Sequence, residues 1–576
     1  MIRKIAGCIR EYTLPSLITP LLVVIETCFE VLIPYRMAVL IDDGIHAGNM
    51  DVITGIGLEL VLFAVISLVC GTLGGAIASY ASAGFAKNLT HDLFEKIQSF
   101  SFANIDKFSS SGLITRLTTD VSNVQMLYQM VIRGAIRAPS MLVMTMVAAF
   151  RVNSRLALVF VCVVPVLAVG LVVIFRSAFP YFQRVFLIYD KLNNVVQENL
   201  RGIRVVKAFV REEHETEKFK NVSRDMYKTN LTAEYIVAGM MPLMQFSTYA
   251  CILAVSWIGS KFIISGTMTS GQLMSMISYV GQMLISLMFL TMIFMMGGIA
   301  GAAAKRIAEV LNEEPEITSP EVNAVFETEN ADIEFKHVSF GYPDCADCLS
   351  DISFTIKQGE TVGIMGPTGS GKTSLVQLIP RLYDARNGQV LLGGHNVKDF
   401  DLTALRKDVS MVLQKNLLFS GTIKENLLWG NENASDEEIV ACAKLAQADG
   451  FVNTFEGGYD YMLEQGGSNV SGGQRQRLCI ARALIAKPRV LILDDSTSAV
   501  DTATDAKIRE GLKKYLPETT KIIIAQRISS IKDADKIIVL DDGKIDDIGK
   551  HDELLKRCEI YREVYEAQTK DGDFDE

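Results

Sequence analysis

Apolar residues gather in six long runs within the first 310 positions, near 15–39, 53–82, 131–150, 156–176, 236–264 and 272–300. A helix needs roughly 20 such residues to cross about 30 Å of hydrocarbon, and each run supplies them. Buried helices of a soluble protein produce one or two runs of this kind, not six in 300 residues. The pattern then breaks. The stretch NEEPEITSPEVNAVFETEN, from Asn312 onward, is polar, acidic and Pro-containing, as linkers are. Strand patterns alternate with helix patterns beyond it, as in an α/β domain. The expected architecture is multidomain: an all-α six-helix membrane domain over 1–310, a linker over 311–330 and an α/β domain over 331–576.

Charge follows the same division. The chain has 576 residues, is 49 % hydrophobic and carries a formal net charge of −10. Residues 1–310 carry +6 and residues 311–576 carry −16, so the mean describes neither part. High hydrophobicity with modest Gly and Pro excludes a disordered or collagenous chain. The acidic second part argues against nucleic acid as a partner. Within the first part, the stretch 178–231 holds ten basic residues, and 84–125 adds Lys87, Lys96, Lys107 and Arg116. The alternate loops 40–52 and 265–271 hold none, while Arg151 and Arg155 mark the third as an exception. The positive-inside rule therefore puts both termini and the two long loops in the cytoplasm of a multi-pass inner-membrane protein. Helical patterns continue into those loops, so the helices should project beyond the bilayer.

Charges inside the spans need partners. Glu26 and Glu30 lie at i, i+4 on one face of the first span. A carboxylate there costs about 2.5–3.5 kcal/mol and should face protein or a wet cavity. The pair reads as a site for a cationic substrate, as a structural hydrogen bond to a neighbouring helix, or as water contact in a cavity without direct substrate binding. Arg133 and Arg137 share a face of the third span and read as snorkelling to headgroups. Eleven of the 23 Met lie between Met240 and Met296. Met288, Met292, Met295 and Met296 follow helical spacing, which suits an adaptable apolar ligand surface, simple packing or lipid contact.

Other chemistry is thin. The N-terminus lacks the cleavage site of a removed signal peptide. The ten Cys are scattered, and the Cys345/Cys348 pair has no second ligand pair nearby, so it reads as incidental. Six His and no HExxH leave no zinc-protease motif.

The second domain is more informative. TVGIMGPTGSGKTSLVQLI reads as strand, loop and helix, and Gly366 to Thr373 match GxxxxGK[ST]. Such a loop curls its N–H groups around phosphate at a helix N-terminus. Lys372 should reach the β- and γ-phosphates and Thr373 should ligate Mg2+. RVLILDD reads as a buried strand ending in Asp494 and Asp495, where a Mg2+ partner belongs. The domain over 331–576 is therefore nucleotide-binding.

VSGGQRQR at 470–477 is similar to the signature sequence of ATP-binding cassette (ABC) transporters. Gln414 after MVL resembles that family's Q-loop, Ser498–Asp501 (SAVD) its D-loop, and Tyr342 in FGYPD its adenine-stacking aromatic. SSGLITRLTTDV at 110–121 and QENLRGIRVVKAF at 197–209 resemble its two cytoplasmic loops, and KRIAEVLNEEP at 305–315 its exit from the sixth span. The chain resembles a half-transporter of the exporter type over nearly its whole length. The resemblance implies ATP and Mg2+, with phosphates held by Gly366, Thr368, Gly369, Ser370, Gly371, Lys372, Thr373 and Ser374. It places Mg2+ near Thr373, Gln414 and Asp494. It implies that Ser471, Gly472, Gly473 and Gln474 complete the site of a second half-transporter. Asp495, Gln526 and Asp501 fall at its catalytic positions.

Two departures stand out. Asp495 replaces the family's usual glutamate, and its carboxylate sits about 1.5 Å short, where misplacement of about 1 Å can cost ~10²-fold in rate. Gln526 replaces the usual histidine and cannot carry a proton. Val470 stands where leucine is usual. The pattern resembles the degenerate-site subunit of heterodimeric multidrug exporters, whose partner would carry glutamate and histidine. The expected function is an ATP-hydrolysing exporter half that moves amphipathic or hydrophobic compounds through the lipid bilayer. A slow homodimeric lipid or drug exporter and a non-pumping, ATP-gated regulatory subunit are the rival readings. An importer is disfavoured because spans and cassette are fused, and a peptidase-coupled exporter because about 14 residues precede the first span.

Overall fold

The computed structural model describes residues 2–343, 345–496 and 500–570. Two compact units emerge. One comprises Met1–Gln98 and Ser110–Glu313, and the other Ser99–Ser109 and Glu314–Glu576. The segment Ser99–Ser109 falls inside the expected membrane domain by sequence but packs with the second unit.

Among the described residues, six helices of the first unit are long and apolar enough to cross a membrane: Arg10–Ile45, Met50–Gln98, Ser110–Val152, Ser154–Arg201, Glu212–Ile264 and Ser270–Asn312. Each contains one of the expected runs. The second has 49 residues, about 70 Å of helix, more than twice the hydrocarbon thickness. Large apolar side chains such as Leu58, Leu68, Val166 and Val169 face outward and exposed, as lipid-facing residues do. The interior closes around Phe160, Leu167, Val255, Met276, Tyr279 and Met283.

Proline shapes the first span. Pro34 has no N–H, so the Glu30 carbonyl loses its donor one turn later. The sixth span answers with side chains. Gln282 Nε2 donates to Glu30 O at 3.3 Å, Tyr279 Oη to Val31 O at 3.0 Å, and Ser275 Oγ to Pro34 O at 2.6 Å. With no water in the bilayer core, the Gln282 bond satisfies the freed carbonyl, and the three bonds join the two helices.

The second unit is built on two sheets. β1 (Ile333–Phe340), β2 (Leu349–Ile356), β4 (Asn387–Leu392) and β5 (His395–Asn396) form an antiparallel sheet in the order β2-β1-β4-β5. β3 (Thr361–Met365), β6 (Val409–Val412), β9 (Val490–Asp494), β10 (Thr520–Ile524), β11 (Lys536–Asp541) and β12 (Lys544–Gly549) form a sheet in the order β12-β11-β3-β10-β9-β6. Five of its strands run parallel and only the edge strand β12 is antiparallel. A short pair, β7 (Gly421–Thr422) with β8 (Met462–Leu463), accompanies the helices at 423–428, 436–445 and 472–485. Every residue of β9 and β10 is buried, which suits the apolar runs Val490–Leu493 and Ile522–Ile524 at their centres.

Candidate functional site

Parallel strands bring their C-terminal ends to one edge of a sheet. Here β3, β10 and β9 lie side by side. The phosphate-type loop follows β3, Gln526 follows β10, and Asp494 and Asp495 end β9. Residues as far apart as Lys372 and Gln526 therefore converge.

The loop depends on its glycines. Gly366 has φ +153°, and a Cβ there would lie 2.1 Å from Leu540 O. Gly371 has φ +89°, and its Cβ would meet Cys348 O at 2.9 Å. Gly369 also has positive φ, Thr368 and Ser370 complete the turn, and Ser374 sits in the first turn of the helix that begins at Lys372. The Lys372 ammonium donates to the carbonyls of Gly366 at 2.8 Å and Pro367 at 2.7 Å. Burial pulls its pKa down, and the charges of Asp494 and Asp495 oppose this.

Thr373 Oγ1 donates to Asp494 Oδ1 at 3.1 Å. The other oxygen, Oδ2, is buried and has no partner. Asp494 is 1 % exposed, and burial raises its pKa. A hydroxyl beside a buried carboxylate with an orphan oxygen is a donor set suited to a hard cation. Mg2+ fits these residues.

Asp495 adopts φ +48°, where Asp is better tolerated than most side chains. Gln526 Nε2 donates to its Oδ2 at 2.8 Å. Burial raises the Asp495 pKa, while hydrogen bonds from Gln526 and Gln414 and the Lys372 charge pull it back. The Gln526 amide thus holds the carboxylate.

Tyr342 Oη and Ser374 Oγ are 3.0 Å apart, and the ring meets Tyr383 edge-on at 5.3 Å. Ser471 caps the helix Gly472–Ile485 reciprocally with Gln474, which leaves the N–H groups of Gly472 and Gly473 at an accessible helix N-terminus. Val470 is 7 % exposed and belongs to the core, so its departure from leucine concerns packing. Asp501 caps the helix Thr502–Tyr515 through Thr504 N, which lowers its pKa. Ser498 lies outside the described residues.

The family described as the ABC transporter transmembrane region matches residues 16–287, and the ABC transporter family matches residues 349–498. An uncharacterized ABC transporter ATP-binding protein of Bacillus subtilis strain 168, YfiB, is 38 % identical over 567 residues, covering 98 % of each chain. The chain belongs to the ABC transporter family. An ATP-dependent lipid A-core flippase of Syntrophus aciditrophicus strain SB is 30 % identical over 533 residues, 92 % of this chain and 88 % of that one. The solved structure of a bacterial Atm1-family ABC exporter with ATP bound superposes with a TM-score of 0.84 at 22 % identity, covering 97 % and 99 % of the two chains. This ABC transporter subunit is a multi-pass, ATP-hydrolysing transporter with the fold of an ABC exporter.

Several residues of this ABC transporter subunit carry no sequence signal of their role. Gln568, on the C-terminal helix, donates through Nε2 to Gln526 O at 2.8 Å and accepts from Ile528 N at 2.9 Å, clamping the Gln526 loop. Tyr383 Oη donates to Asp106 Oδ2 at 2.7 Å and so holds the helix Phe102–Phe108 within the second unit. Their sequence surroundings carry no motif that would have marked them.

In the first unit, Arg137 does not snorkel. Its Nη1 donates to Glu26 Oε1 at 2.8 Å and its Nη2 to both Glu30 oxygens at 2.8 and 3.0 Å. A cavity of about 740 Å³ opens here between Glu30, Arg133, Arg137, Met141, Gln282 and Phe289. Met288, Met292 and Met295 do not line it. Met288 packs on the core, while Met292 and Met295 point outward.

Proposed function

We propose that this exporter subunit works as one half of a heterodimer, with membrane helices over 1–310 and a cytoplasmic cassette over 331–576. Its own ATP site would hold nucleotide longer than it hydrolyses it. The observation that carries this reading is the 2.8 Å bond from Gln526 Nε2 to Asp495 Oδ2. A general base needs a free lone pair aimed at the attacking water. Asp495 is one methylene shorter than glutamate, and the Gln526 amide occupies one of its oxygens. Gln526 donates but cannot relay a proton.

The remaining residues suit tight binding. The loop from Gly366 to Ser374 would cradle the phosphates and Lys372 would neutralise them, exchanging loop carbonyls for phosphate oxygens. Thr373 and Asp494 would hold Mg2+, with Gln414 nearby. Bound there, Mg2+ supplies charge compensation at the phosphate oxygens. Tyr342 would stack on adenine. Ser471 to Gln474 would complete the partner's site, where hydrolysis resets the machine. Val205, Phe209 and Val210 are exposed apolar residues at the end of the second long loop, a surface that suits a partner chain.

The basic long loops support a cytoplasmic cassette and an inner-membrane location. The apolar cavity supports an amphipathic or hydrophobic cargo. Purified alone, the subunit should hydrolyse ATP slowly, and Asp495→Glu with Gln526→His should raise the rate by about tenfold or more. Fast turnover by the lone wild-type chain, unchanged in the double variant, would overturn the reading.

A further inference from the structure

The ionic groups of the first unit form an unfinished pattern. Arg137 sits between Glu26 and Glu30, so one positive charge meets two negative ones. Glu26 is 5 % exposed, and its Oε2 has no partner. Among the described residues Arg133 has no carboxylate within ion-pair distance. Its only hydrogen bond is a long one, 3.4 Å, to Gly71 O. The four side chains sum to zero, yet they leave one negative charge at the glutamates and one positive charge at Arg133.

Both loose ends open into the same place. A groove of about 560 Å³ is lined by Glu26, Glu30, Gly71, Gly75 and Arg133. Glu30 and Arg133 also line the larger apolar cavity. Gly71 and Gly75 make the close approach possible. A Cβ on Gly71 would lie 2.8 Å from Glu26 Oε1, and one on Gly75 would lie 3.0 Å from Arg133 Nη1. These glycines are four residues apart on the second span, about one helical turn or ~5.4 Å. The buried acceptor therefore lies beside Gly71, and the unpaired guanidinium spans Gly71 O and Gly75 on the same helix face. Gln282 Oε1, on the wall of the apolar cavity, is a second buried acceptor without a donor.

A lone cation would satisfy Glu26 but face Arg133, and a lone anion would do the reverse. Either leaves an uncompensated charge inside the membrane domain, which is expensive there. We infer that the groove receives the head of a zwitterionic amphiphile, its ammonium on Glu26 Oε2 and its phosphate or carboxylate on Arg133, with the apolar body in the adjoining cavity. An aminoethyl phosphate bridges one helical turn without strain. The inference rests on the exporter reading and names the cargo's chemical class.

The test measures binding to the purified full chain in a non-ionic detergent, without ATP, by native mass spectrometry. The probes are lysophosphatidylethanolamine, lysophosphatidylglycerol, dodecylamine and N-dodecyl-β-alanine. Lysophosphatidylethanolamine should bind about tenfold tighter than the anionic and cationic probes, roughly one decade in Kd. Arg133→Gln should erase its advantage over dodecylamine, and Arg133→Lys should keep it. Glu26→Gln should erase its advantage over lysophosphatidylglycerol. Arg133 is half-exposed, so its two variants test the idea even where Glu26→Gln fails to fold. Binding of N-dodecyl-β-alanine as well would extend the site to carboxylate zwitterions, and its exclusion would confine the site to phospholipid heads; either supports the inference. Equal or tighter binding of the anionic or the cationic probe would overturn it, as would a preference that both Gln variants leave intact. If this pattern fails while ATP-driven transport persists, only the inference falls. If the pattern holds and no ATP-driven transport exists, the exporter reading falls.

Discussion

Gln526 Nε2 donates a 2.8 Å hydrogen bond to Asp495 Oδ2, linking the turn after β10 to the end of β9. Thirty-one residues of sequence separate the two, but adjacent parallel strands place them at neighbouring strand ends. The bond stabilises the ionised carboxylate and weakens it as a base. Gln526→Ala should free that oxygen without restoring reach, so ATPase turnover of the lone chain should change less than about threefold. The double change to Glu and His should act far more strongly. Single-turnover ATP hydrolysis by the two variants checks the difference.

Asp494 carries a pH prediction. Burial raises its carboxyl above the ordinary range near 3.9. As pH rises through the interval between the unfolded and folded values, the unfolded chain has released its proton while the native chain retains it. Stability therefore falls with rising pH across that interval. Asp494→Asn should remove this slope and raise the melting temperature at neutral pH by about 2–4 °C, in the absence of Mg2+ and nucleotide. The same variant should lose the stabilisation that Mg–ATP gives the native protein. Calorimetry with and without Mg–ATP reads both effects.

Gln568 clamps the Gln526 loop through two hydrogen bonds. Each contributes about 0.5–1.5 kcal/mol. Gln568→Ala should raise amide exchange at residues 525–530 by roughly tenfold while leaving β9 and β10 protected. Hydrogen-exchange mass spectrometry resolves these segments. Unchanged exchange in the loop would show that Gln568 does not hold it.

Tyr383→Phe deletes the hydroxyl that donates to Asp106 and leaves the tilted ring contact with Phe102 in place. A hydrogen bond to a charged group contributes about 1.5–3 kcal/mol. The helix Phe102–Phe108 should exchange its amides faster, with little change in nucleotide affinity. Stimulation of ATPase by transported compounds should weaken more than basal ATPase does. Equal loss of both would point to simple destabilisation of the cassette.

Ser471 caps the signature helix, and losing such a cap costs about 0.5–2 kcal/mol. In a complex with a partner half, Ser471→Ala should depress hydrolysis at the partner's site. Lys372→Ala should instead weaken nucleotide retention at this chain's own site. Labelled-nucleotide trapping in the assembled pair separates the two.

Hydrophobic periodicity and short motifs determined a great deal by themselves. Six runs fixed six spans, because crossing hydrocarbon demands length and apolarity that the sequence displays directly. The loop from Gly366 to Thr373 was legible because its glycines serve backbone needs at fixed local spacing. Packing decided the rest. Arg137 sits more than 100 residues from Glu26 and Glu30, and no local pattern distinguishes a snorkelling arginine from one that a neighbouring helix holds. The methionine stripe had the right spacing, but helix rotation turned Met292 and Met295 outward and gave the cavity wall to Gln282 and Phe289. Segment Ser99–Ser109 was read with the spans around it, yet its Ala103 and Asp106 belong to the second unit's packing. Sequence alone determined which elements form, since local periodicity and backbone chemistry are written along the chain. Tertiary structure alone decided which charges meet, because desolvated ionic groups take their partners from whichever helix packing brings near.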